Sequence, residues 1–386
     1  MDKSIYLDNS ATTKICKEAL EKYVAVSEEC FGNPSSLHTL GFEAEKLLGA
    51  ARAEILASIS AKDARVIFTA SGSEANNLAI IGRATAKERY KGAKIITTDG
   101  EHASVNEPLA MLSQMGYRIV KIPTVNGALD LSALERELTS DVILVTMMMV
   151  NNETGALYDI PAVSRLMKAK SKEALLHVDA TQSYMKIPFT KSSLGADMIT
   201  LSSHKVEGPK GVGALVVGEN VIKMRGISPM ILGGGQEGGL RSGTENVPAV
   251  CAFGEAVRVG RPLVRERYGK MNALRDELIS KLSALPEISP TLPKSHAPNI
   301  LNLTLPSIKS ETMLHYLSSF GIYVSSGSAC SSNSGHVSSA LVAYGRSAAE
   351  ADCSIRISLS HRSTSEDIDS LVATLREGLS KLSRIK

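Results

Sequence analysis

Short apolar runs alternate with helical stretches, such as residues 75–87 and 105–115, through roughly the first two-thirds of the chain. Strands separated by helices of about a dozen residues are typical of βαβ units, whose parallel sheet is covered by helices on both faces. We therefore predict an α/β fold with a mostly parallel seven-stranded sheet. The seven strand-like runs are residues 66–69, 94–98, 118–122, 142–150, 175–179, 197–200 and 213–217.

The pattern changes after Gly254. A long charged amphipathic stretch replaces the short apolar runs, and two strand-like runs and a terminal helix follow it. These features are typical of a smaller α+β unit. The four elements are residues 263–285, 300–304, 355–359 and 365–382.

The length of the chain favours two domains, because its 386 residues exceed the roughly 100–200 residues of one typical domain. We predict a large domain formed by residues 15–260. A small α+β domain would combine residues 1–14 with residues 261–386. This small domain would carry a mobile loop at about residues 325–337.

The composition is that of a soluble globular protein, with 43% hydrophobic and 22% charged residues. The 43 basic and 40 acidic residues give a net charge of +3 without a block of like charges. This balance argues against an extended nucleic-acid surface or a basic membrane patch, although a local RNA contact stays open. We expect no direct nucleic-acid partner.

The sequence predicts no targeting or membrane-spanning segment. Residues 1–8 lack the apolar core of a signal peptide. The longest apolar run, residues 142–150, is shorter than the ~20 residues that a bilayer requires. The five cysteines have no paired spacing, which argues for free thiols in a reducing compartment. We therefore predict a cytoplasmic protein.

Lys205 and Asp179 indicate a specific chemistry. Asp179 closes an apolar segment that reads as a buried strand, and Lys205 lies in a later polar loop punctuated by glycine. Pyridoxal phosphate requires an amine for its Schiff base and an acid that keeps its pyridine nitrogen protonated. Taken alone, Asp179 is more simply a strand-end acid, and Lys205 is more simply a solvated loop lysine. The interpretation therefore depends on the segments that accompany them.

Two similar turns have the features of a phosphate site. Residues 71–77 follow a predicted strand and open a helix, and residues 242–246 repeat their Ser-Gly-hydroxyl-Glu pattern after a Gly-rich loop. Glycine allows a close backbone approach, hydroxyls donate, and a helix N-terminus favours an anion. A plain helix cap explains the first turn in isolation. The chain lacks a Gly-rich P-loop ending in Lys-Ser or Lys-Thr, which argues against a nucleotide triphosphate.

Polar residues also follow other predicted strands. His102 is a candidate for stacking on a cofactor ring, for moving a proton or for capping the next helix. His177 and Asp179 share one strand face and could join His204 at a metal, but no ligand spacing typical of zinc supports a metal site. Asn152 belongs either to a ligand crevice at a strand end or to a simple turn.

Cys330 lies in a segment that cannot bury itself. Residues 325–335 contain only Ser, Gly, Ala, Asn and this cysteine, a composition that predicts a mobile surface loop. Free cysteine is usually a small buried hydrophobe. Its placement in such a loop therefore indicates a reactive thiolate. The remaining cysteines are interpreted as packing residues: Cys16, Cys30, Cys251 and Cys353.

Taken in order, these segments resemble the cysteine desulfurases of the NifS/IscS-like group in the class V aminotransferase superfamily. The resemblance covers nearly the whole chain and implies the fold-type I architecture of pyridoxal phosphate enzymes. It also implies the conversion of L-cysteine to L-alanine, with the sulfur passing to Cys330 as a persulfide. The matching segments are residues 6–13, 31–36, 151–153, 177–182, 202–211, 241–244, 327–331 and 354–356.

The resemblance also implies a role for each candidate residue. Lys205 would carry the Schiff base and transfer protons, Asp179 would pair with the pyridine nitrogen, and His102 would stack on the ring. Asn152 and Gln182 would hold the hydroxyl side of the ring. The residues implied at the phosphate are Gly72, Ser73, Ser202, His204 and, across a homodimer interface, Thr244.

Asn33 and Arg356 would hold the substrate carboxylate, a task that suits a guanidinium fork. The long Ser-Ala-Cys-Ser loop resembles members that deliver sulfur directly to acceptor proteins, such as an iron–sulfur scaffold, a tRNA-thiolation protein or a cofactor-biosynthesis carrier. It differs from shorter-loop relatives of selenocysteine lyase. Two departures concern the partner and the interface: residues 333–339 lack a Leu-Glu-Pro stretch, and Gly238 replaces a basic residue that often follows the Glu.

Two alternatives stay open. Another pyridoxal phosphate enzyme of this superfamily, an aminotransferase or a lyase, would not need Cys330. A non-catalytic assembly partner that keeps the fold would not need Lys205 or bind a yellow cofactor. The loop of Cys330 favours desulfuration over both.

Overall fold

The computed structural model describes residues 4–326 and 338–382, which contain short strands β1–β12 and helices α1–α14. The strands are Ile5–Tyr6, Ala64–Thr69, Lys94–Thr98, Arg118–Ile122, Val142–Met148, Leu175–Asp179, Met198–Ser202, Gly213–Gly218, Ser289–Thr291, Ile300–Thr304, Ile322–Tyr323 and Ser354–Ser358. The helices are Lys17–Glu29, Thr39–Ser58, Gly72–Thr85, Ala103–Gln114, Leu131–Glu137, Ile160–Lys170, Lys191–Leu194, Glu219–Lys223, Val247–Gly260, Val264–Leu282, Ser310–Ser319, Ser339–Tyr344, Ala348–Asp352 and Ser365–Lys381.

The larger sheet has seven strands in the order β2-β8-β7-β6-β5-β3-β4. Four of its pairings are parallel: β4 with β3, β3 with β5, β5 with β6, and β6 with β7. Strand β8 runs antiparallel to both of its neighbours, β2 and β7. The prediction of an α/β fold with a mostly parallel seven-stranded sheet is confirmed.

Each predicted run corresponds to one strand of this sheet, with one clear error at a boundary. The run 142–150 was expected to be a single strand, but β5 ends at Met148. Beyond it the chain reverses, because Val150 forms an isolated antiparallel bridge with Leu157 and the Asn151 amide donates to the Ala156 carbonyl at 2.8 Å. The predicted strand was too long because the apolar run extends two residues beyond the point where the strand hydrogen bonding ends.

Helices cover both faces of the large sheet. In β6, Leu176 and Val178 pack into a core shared with α2, α6 and α9, whereas Leu175 packs into a core shared with α3 and α4. Alternate residues of a strand point to opposite faces, so His177 and Asp179 lie on the same side as Leu175. Strand β6 therefore delivers Asp179 toward the start of α3.

A second core forms around a smaller antiparallel sheet of order β9-β10-β12. Helices α10, α11 and α14 pack against it. Ile5 and Leu7, from the opposite end of the chain, belong to this core, and β1 pairs with β11 in parallel. The division of the chain at residues 14/15 and 260/261 stays a prediction.

The thiols outside the loop of Cys330 are free, and three of them are buried. Burial raises the pKa of Cys16 and Cys353, and it raises that of Cys251 to about 11. Cys30 is half-buried against the main core. Their interpretation as packing residues is confirmed. Cys330 lies outside the described residues. Among the helices of the described residues, none is long and apolar enough to span a membrane.

Candidate active site

A cavity of about 240 Å³ lies where parallel strands of the large sheet end, and we call it the strand-end cavity. Ligands bind in this position in open α/β sheets. The cavity is also reached by residues of the N-terminal segment and by Arg356 of the small sheet. The structure brings together at its wall ten of the predicted residues: Gly72, Ser73, His102, Asn152, Asp179, Gln182, Ser202, His204, Lys205 and Arg356.

Asp179 is held rigidly at the end of β6. One carboxylate oxygen, Oδ1, accepts a hydrogen bond from the Thr181 amide at 2.9 Å. The other, Oδ2, accepts from the side-chain amide of Asn76 at 2.8 Å. The residue is 7% exposed, so its negative charge acts through a wall of the cavity that water hardly reaches.

Asn76 connects Asp179 to His102. Its Nδ2 donates both to Asp179 and to Ser104 Oγ, each at 2.8 Å. Ser104 Oγ lies 2.8 Å from His102 Nδ1, and the Ser104 amide donates to the same nitrogen at 3.1 Å. The nitrogen Nδ1 is therefore an acceptor, which places the proton of a neutral imidazole on Nε2.

Burial lowers the pKa of His102, and the cations Lys205 and Arg356 act in the same direction, against Asp179. The imidazole is therefore kept neutral near pH 7. His102 also caps α4 through the contact with Ser104. Of the three roles predicted for this residue, the helix cap is realised in the structure, and Nε2 stays available to the cavity.

Lys205 follows β7 in a short helical turn and enters the cavity from the sheet side. Its Nζ donates to the Ala11 carbonyl at 2.8 Å and also to the Ser10 carbonyl. The neighbouring His204 contacts Thr12 Oγ1 through Nδ1 at 3.1 Å. Burial, followed by the cations Lys205, Lys186 and Lys210, lowers the pKa of His204 to about 4.

The start of α3 lies against the end of β7. Ser71 caps this helix by accepting from the Glu74 amide at 3.1 Å, which is the plain cap considered from the sequence. A Cβ at Gly72 would lie 3.2 Å from the Ser202 Cβ, and one at Gly213 would lie 2.5 Å from the Ser71 carbonyl carbon. Glycine at both positions lets the helix N-terminus approach the cavity, where its free N–H groups favour an anion.

Arg356 extends from β12 into the strand-end cavity and is 2% exposed. Its Nη1 donates to the Asn152 carbonyl and its Nη2 to Asp8 Oδ1, each at 2.9 Å. Its buried Nε has no hydrogen-bond partner among the described residues. Burial raises the pKa of Asp8, although the guanidinium opposes this shift. The Nε donor of Arg356 is thus left for a ligand.

Two predicted residues do not reach the cavity in the described chain. Asn33 is exposed, and its Oδ1 accepts from the Ser35 amide at 2.9 Å. Thr244 is also exposed. Cys330 lies outside the described residues. The described residues on either side of that gap are tied to the site: Ser325 bridges to Arg356 in the backbone, and Ser338 Oγ donates to Glu153 at 2.5 Å.

The metal reading of the histidines finds no geometric support. His177 is fully buried, with Thr146 Oγ1 at 2.8 Å from Nδ1 and Thr200 Oγ1 at 2.9 Å from Nε2. Burial lowers its pKa to about 4. In the part of the chain that the structure describes, no group of three His, Cys, Asp or Glu side chains could hold a metal ion.

Sequence reasoning missed several side chains that build the site. Asn76, Ser104, Asp8 and Lys186 carry contacts to the predicted residues. A signal existed for Asn76, because it lies one helical turn after Gly72 and therefore on the same face of α3. No local pattern distinguishes the other three.

The strand-end cavity thus combines three chemical features along its wall: a helix N-terminus with hydroxyls, an amine and a fixed carboxylate. A larger neighbouring cavity of about 560 Å³ shares Lys205 with it. That second space lacks Asp179 and the start of α3, so we assign the candidate site to the smaller one.

Comparisons with known proteins extend over the whole fold. Residues 5–371 match the family model of class-V aminotransferases. The chain is 37% identical over 372 residues to the cysteine desulfurase IscS 1 of Archaeoglobus fulgidus, covering 96% of this chain and 95% of the relative. A solved NifS-like protein superposes with a TM-score of 0.91 at 35% identity, covering 98% of this chain and 100% of that chain. The structure of SspA in complex with cysteine gives a TM-score of 0.79 at 29% identity, covering 94% and 100%.

Proposed function

The chain belongs to the class-V aminotransferase family, and we propose that it is a pyridoxal phosphate-dependent cysteine desulfurase. It would convert L-cysteine to L-alanine and pass the sulfur to Cys330 as a persulfide. The observation that carries this proposal is the placement of Lys205 and Asp179 on one cavity beside the start of α3. The similarity to a cysteine desulfurase and to a protein solved with cysteine supports this choice of substrate.

The donor set of the cavity fits the cofactor. Two buried polar atoms at its wall, Ser10 Oγ and Asn76 Oδ1, have no hydrogen-bond partner in the described residues. Buried polar groups are normally paired, so these atoms point to a polar ligand. When bound, pyridoxal phosphate supplies an aldehyde for amines and a protonated ring that withdraws electrons from the substrate.

Each part of the wall has a role in holding this group. Lys205 would hold it covalently, and Asp179, fixed by Asn76, would accept a hydrogen bond from its ring nitrogen. His102 would lie on the ring face, and Gln182 and Asn152 would hold the ring hydroxyl. The phosphate would be bound at the start of α3 by Gly72, Ser73, Ser202 and His204.

Arg356 would bind the carboxylate of L-cysteine, because its guanidinium is buried and charged, and its Nε has no partner among the described residues. Asn33 would complete this contact. The amine of Lys205 is the base that moves the substrate proton, and the carbonyls of Ser10 and Ala11 give it a defined position between transfers. The neutral His102 keeps its own proton on Nε2.

The sulfur transfer requires no external oxidant. The thiolate of Cys330 attacks the substrate sulfur, so that an S–S bond forms while the carbon–sulfur bond of the substrate breaks. Two protons complete L-alanine, and Cys330 keeps the sulfur as a persulfide. A thiol reductant or an acceptor protein, such as an iron–sulfur scaffold, would then remove this sulfur.

Quaternary structure follows from the same assignment. Thr244 is exposed in one chain and would contact the phosphate bound by the neighbouring subunit of a homodimer. Large apolar side chains near Asn33 and Thr244 support an interface there, since Phe31 is 73%, Phe42 70% and Leu232 79% exposed. We also assign residues 15–260 and residues 1–14 with 261–386 to two domains, and the reaction to the reducing cytoplasm.

The test is product analysis. Purified protein is mixed with L-cysteine and a thiol reductant, and alanine, sulfide, pyruvate and keto acids are measured. The proposal predicts sulfide and alanine in equal amounts. Pyruvate with sulfide would indicate a lyase, and a keto acid without sulfide would indicate an aminotransferase.

A further inference from the structure

The amine of Lys186 is buried close to the strand-end cavity, and the proposed chemistry assigns it no task. The residue is 7% exposed. Burial, followed by the cations Lys205 and Arg356, lowers its pKa to about 7. Within residues 4–326 and 338–382, no carboxylate forms an ion pair with it, and a buried amine without such a partner is costly. Because burial of this amine is unfavourable, we expect the hydrogen bond of Lys186 to have a structural or functional role.

That hydrogen bond goes to Gln182. Lys186 Nζ donates to Gln182 Oε1 at 3.4 Å, and Gln182 Nε2 donates to the Ser10 carbonyl at 3.0 Å. The same Ser10 carbonyl accepts from Lys205. Lys186 and Lys205 are therefore linked through one amide side chain and one backbone carbonyl. Lys186 lines the larger cavity, Gln182 and Ser10 line the strand-end cavity, and Lys205 lines both.

The backbone immediately before Lys186 has an unfavourable conformation. Residues Ala180 to Tyr184 form a helical turn, in which the Tyr184 amide donates to the Ala180 carbonyl at 2.8 Å. Met185 then adopts a left-handed conformation with φ of 60°. A non-glycine residue is unfavourable there, and such strain persists where the surrounding structure requires it. The Lys186 amide donates to the Ser183 carbonyl at 3.0 Å, which closes a turn directly after Gln182.

We propose that Lys186 is a positioning residue that fixes the orientation of the Gln182 amide. The two ends of this amide have nearly the same shape, but one accepts and the other donates. The amine of Lys186 favours the amide oxygen on its own side, and the Ser10 carbonyl favours the NH₂ group on the side of the cavity. This inference rests on the proposed function, because it gives Gln182 a fixed donor for the ring hydroxyl of pyridoxal phosphate.

The test uses the visible absorption band of the bound cofactor, which responds to hydrogen bonding at the ring and needs no turnover. Lys186→Met, Gln182→Ala and the double variant are compared with wild type. We expect Lys186→Met to shift the band in the same direction as Gln182→Ala and to weaken cofactor binding about three- to tenfold. The double variant should match Gln182→Ala alone, since residues that act through one contact are not additive.

Two further variants separate positioning from folding. Lys186→Gln keeps a donor and should return the band toward wild type. Lys94→Met removes another buried lysine, which forms an ion pair with Glu137 at 3.1 Å. Lys94 begins β3, at the end of the strands far from the cavity, so this variant should leave the band unchanged. Melting temperatures identify any variant that is merely unfolded, and Lys186→Gln then provides the comparison with Gln182→Ala.

Additive effects in the double variant would overturn the inference, and so would an absorption band that Lys186→Met leaves unshifted. Either result would leave the proposed function intact. An absorption band that Gln182→Ala leaves unshifted would also overturn the inference. Protein that binds no pyridoxal phosphate at all would overturn the proposed function, and the inference with it.

Discussion

Arg356 and Asp8 form a partly buried ion pair that joins segments from the two ends of the chain beside the strand-end cavity. Their nearest atoms, Nη2 and Oδ1, are 2.9 Å apart, with side-chain exposures of 2% and 18%. The pair leaves Nε of Arg356 without a partner in the described residues. Under the proposed function, Asp8 would orient the guanidinium in advance of the substrate, which would lower the entropy lost when a carboxylate binds.

Replacing Asp8 with Asn should weaken substrate binding more than cofactor binding. A charge-assisted hydrogen bond is about twice as strong as a neutral one, so the orientation of Arg356 should be partly lost. We expect KM for L-cysteine to rise about tenfold while the cofactor spectrum is retained. Steady-state kinetics measure this change, and Asp63→Asn is the control because Asp63 pairs with Lys191 at the surface. Equal KM values for both variants would contradict the role of Asp8.

Asn76 should be more sensitive to charge than to size. In the variant Asn76→Asp, a carboxylate would replace the amide that donates to Asp179 at 2.8 Å, and two buried acids would face each other. We expect a loss of about 2–4 kcal/mol in the free energy of unfolding and poor cofactor retention. Urea denaturation measures the first effect. Asn77→Asp is the neighbouring control, since the hydrogen bonds of the Asn77 side chain within the described residues go to backbone carbonyls. A similar loss there would argue against the network.

Glu101 should make the protein less stable as pH rises. Burial raises its pKa to about 8, whereas an unfolded glutamate has a pKa of 4.5. Between these values the unfolded chain has lost a proton that the folded protein still holds, so this contribution to stability falls from about pH 4.5 to about pH 8. Glu101→Gln cannot ionise, so its stability relative to wild type should increase by a few kcal/mol across this range. Urea midpoints of wild type and Glu101→Gln at pH 5 and pH 8 test this prediction. The same difference in stability between the two proteins at both pH values would contradict it.

Gly213 should not tolerate a side chain. A Cβ there would lie 2.5 Å from the Ser71 carbonyl carbon and would push the start of α3 away from the cavity. We expect Gly213→Ala to cost about 1–3 kcal/mol of stability and to weaken cofactor binding. Gly49→Ala is the matched control, because Gly49 lies in α2 and a Cβ there would face open space among the described residues. That variant should gain about 0.5–1 kcal/mol, so similar thermal shifts in both variants would count against the close approach.

The sequence predicted the large sheet well because its strands are short, apolar and separated by helices. Each of the seven runs has a local signal, and only the reversal after Met148 depends on hydrogen bonds that periodicity does not reveal. Lys205 and Asp179 could be selected because each ends or follows such a strand.

Other parts of the site depend on contacts between distant segments. Asp8 meets Arg356 only because β1 pairs with β11 and Asp8 bridges to Ser358. Lys186 has no local signal in the sequence, and its burial next to the left-handed Met185 is visible only in the structure. Asn33 and Thr244 do not line the cavity in the described chain, and only the role proposed for Thr244 involves a second subunit.

The most direct measurement follows one turnover on Cys330. Protein loaded with pyridoxal phosphate is mixed with substoichiometric L-cysteine in the absence of a reductant, and the digested peptides are analysed by mass spectrometry while alanine is counted. We expect the peptide containing Cys330 to gain one sulfur atom for each alanine formed. Cys330→Ala should form neither product although its cofactor band is retained. Alanine formed without sulfur on Cys330, or formed equally well by Cys330→Ala, would contradict the proposed sulfur transfer.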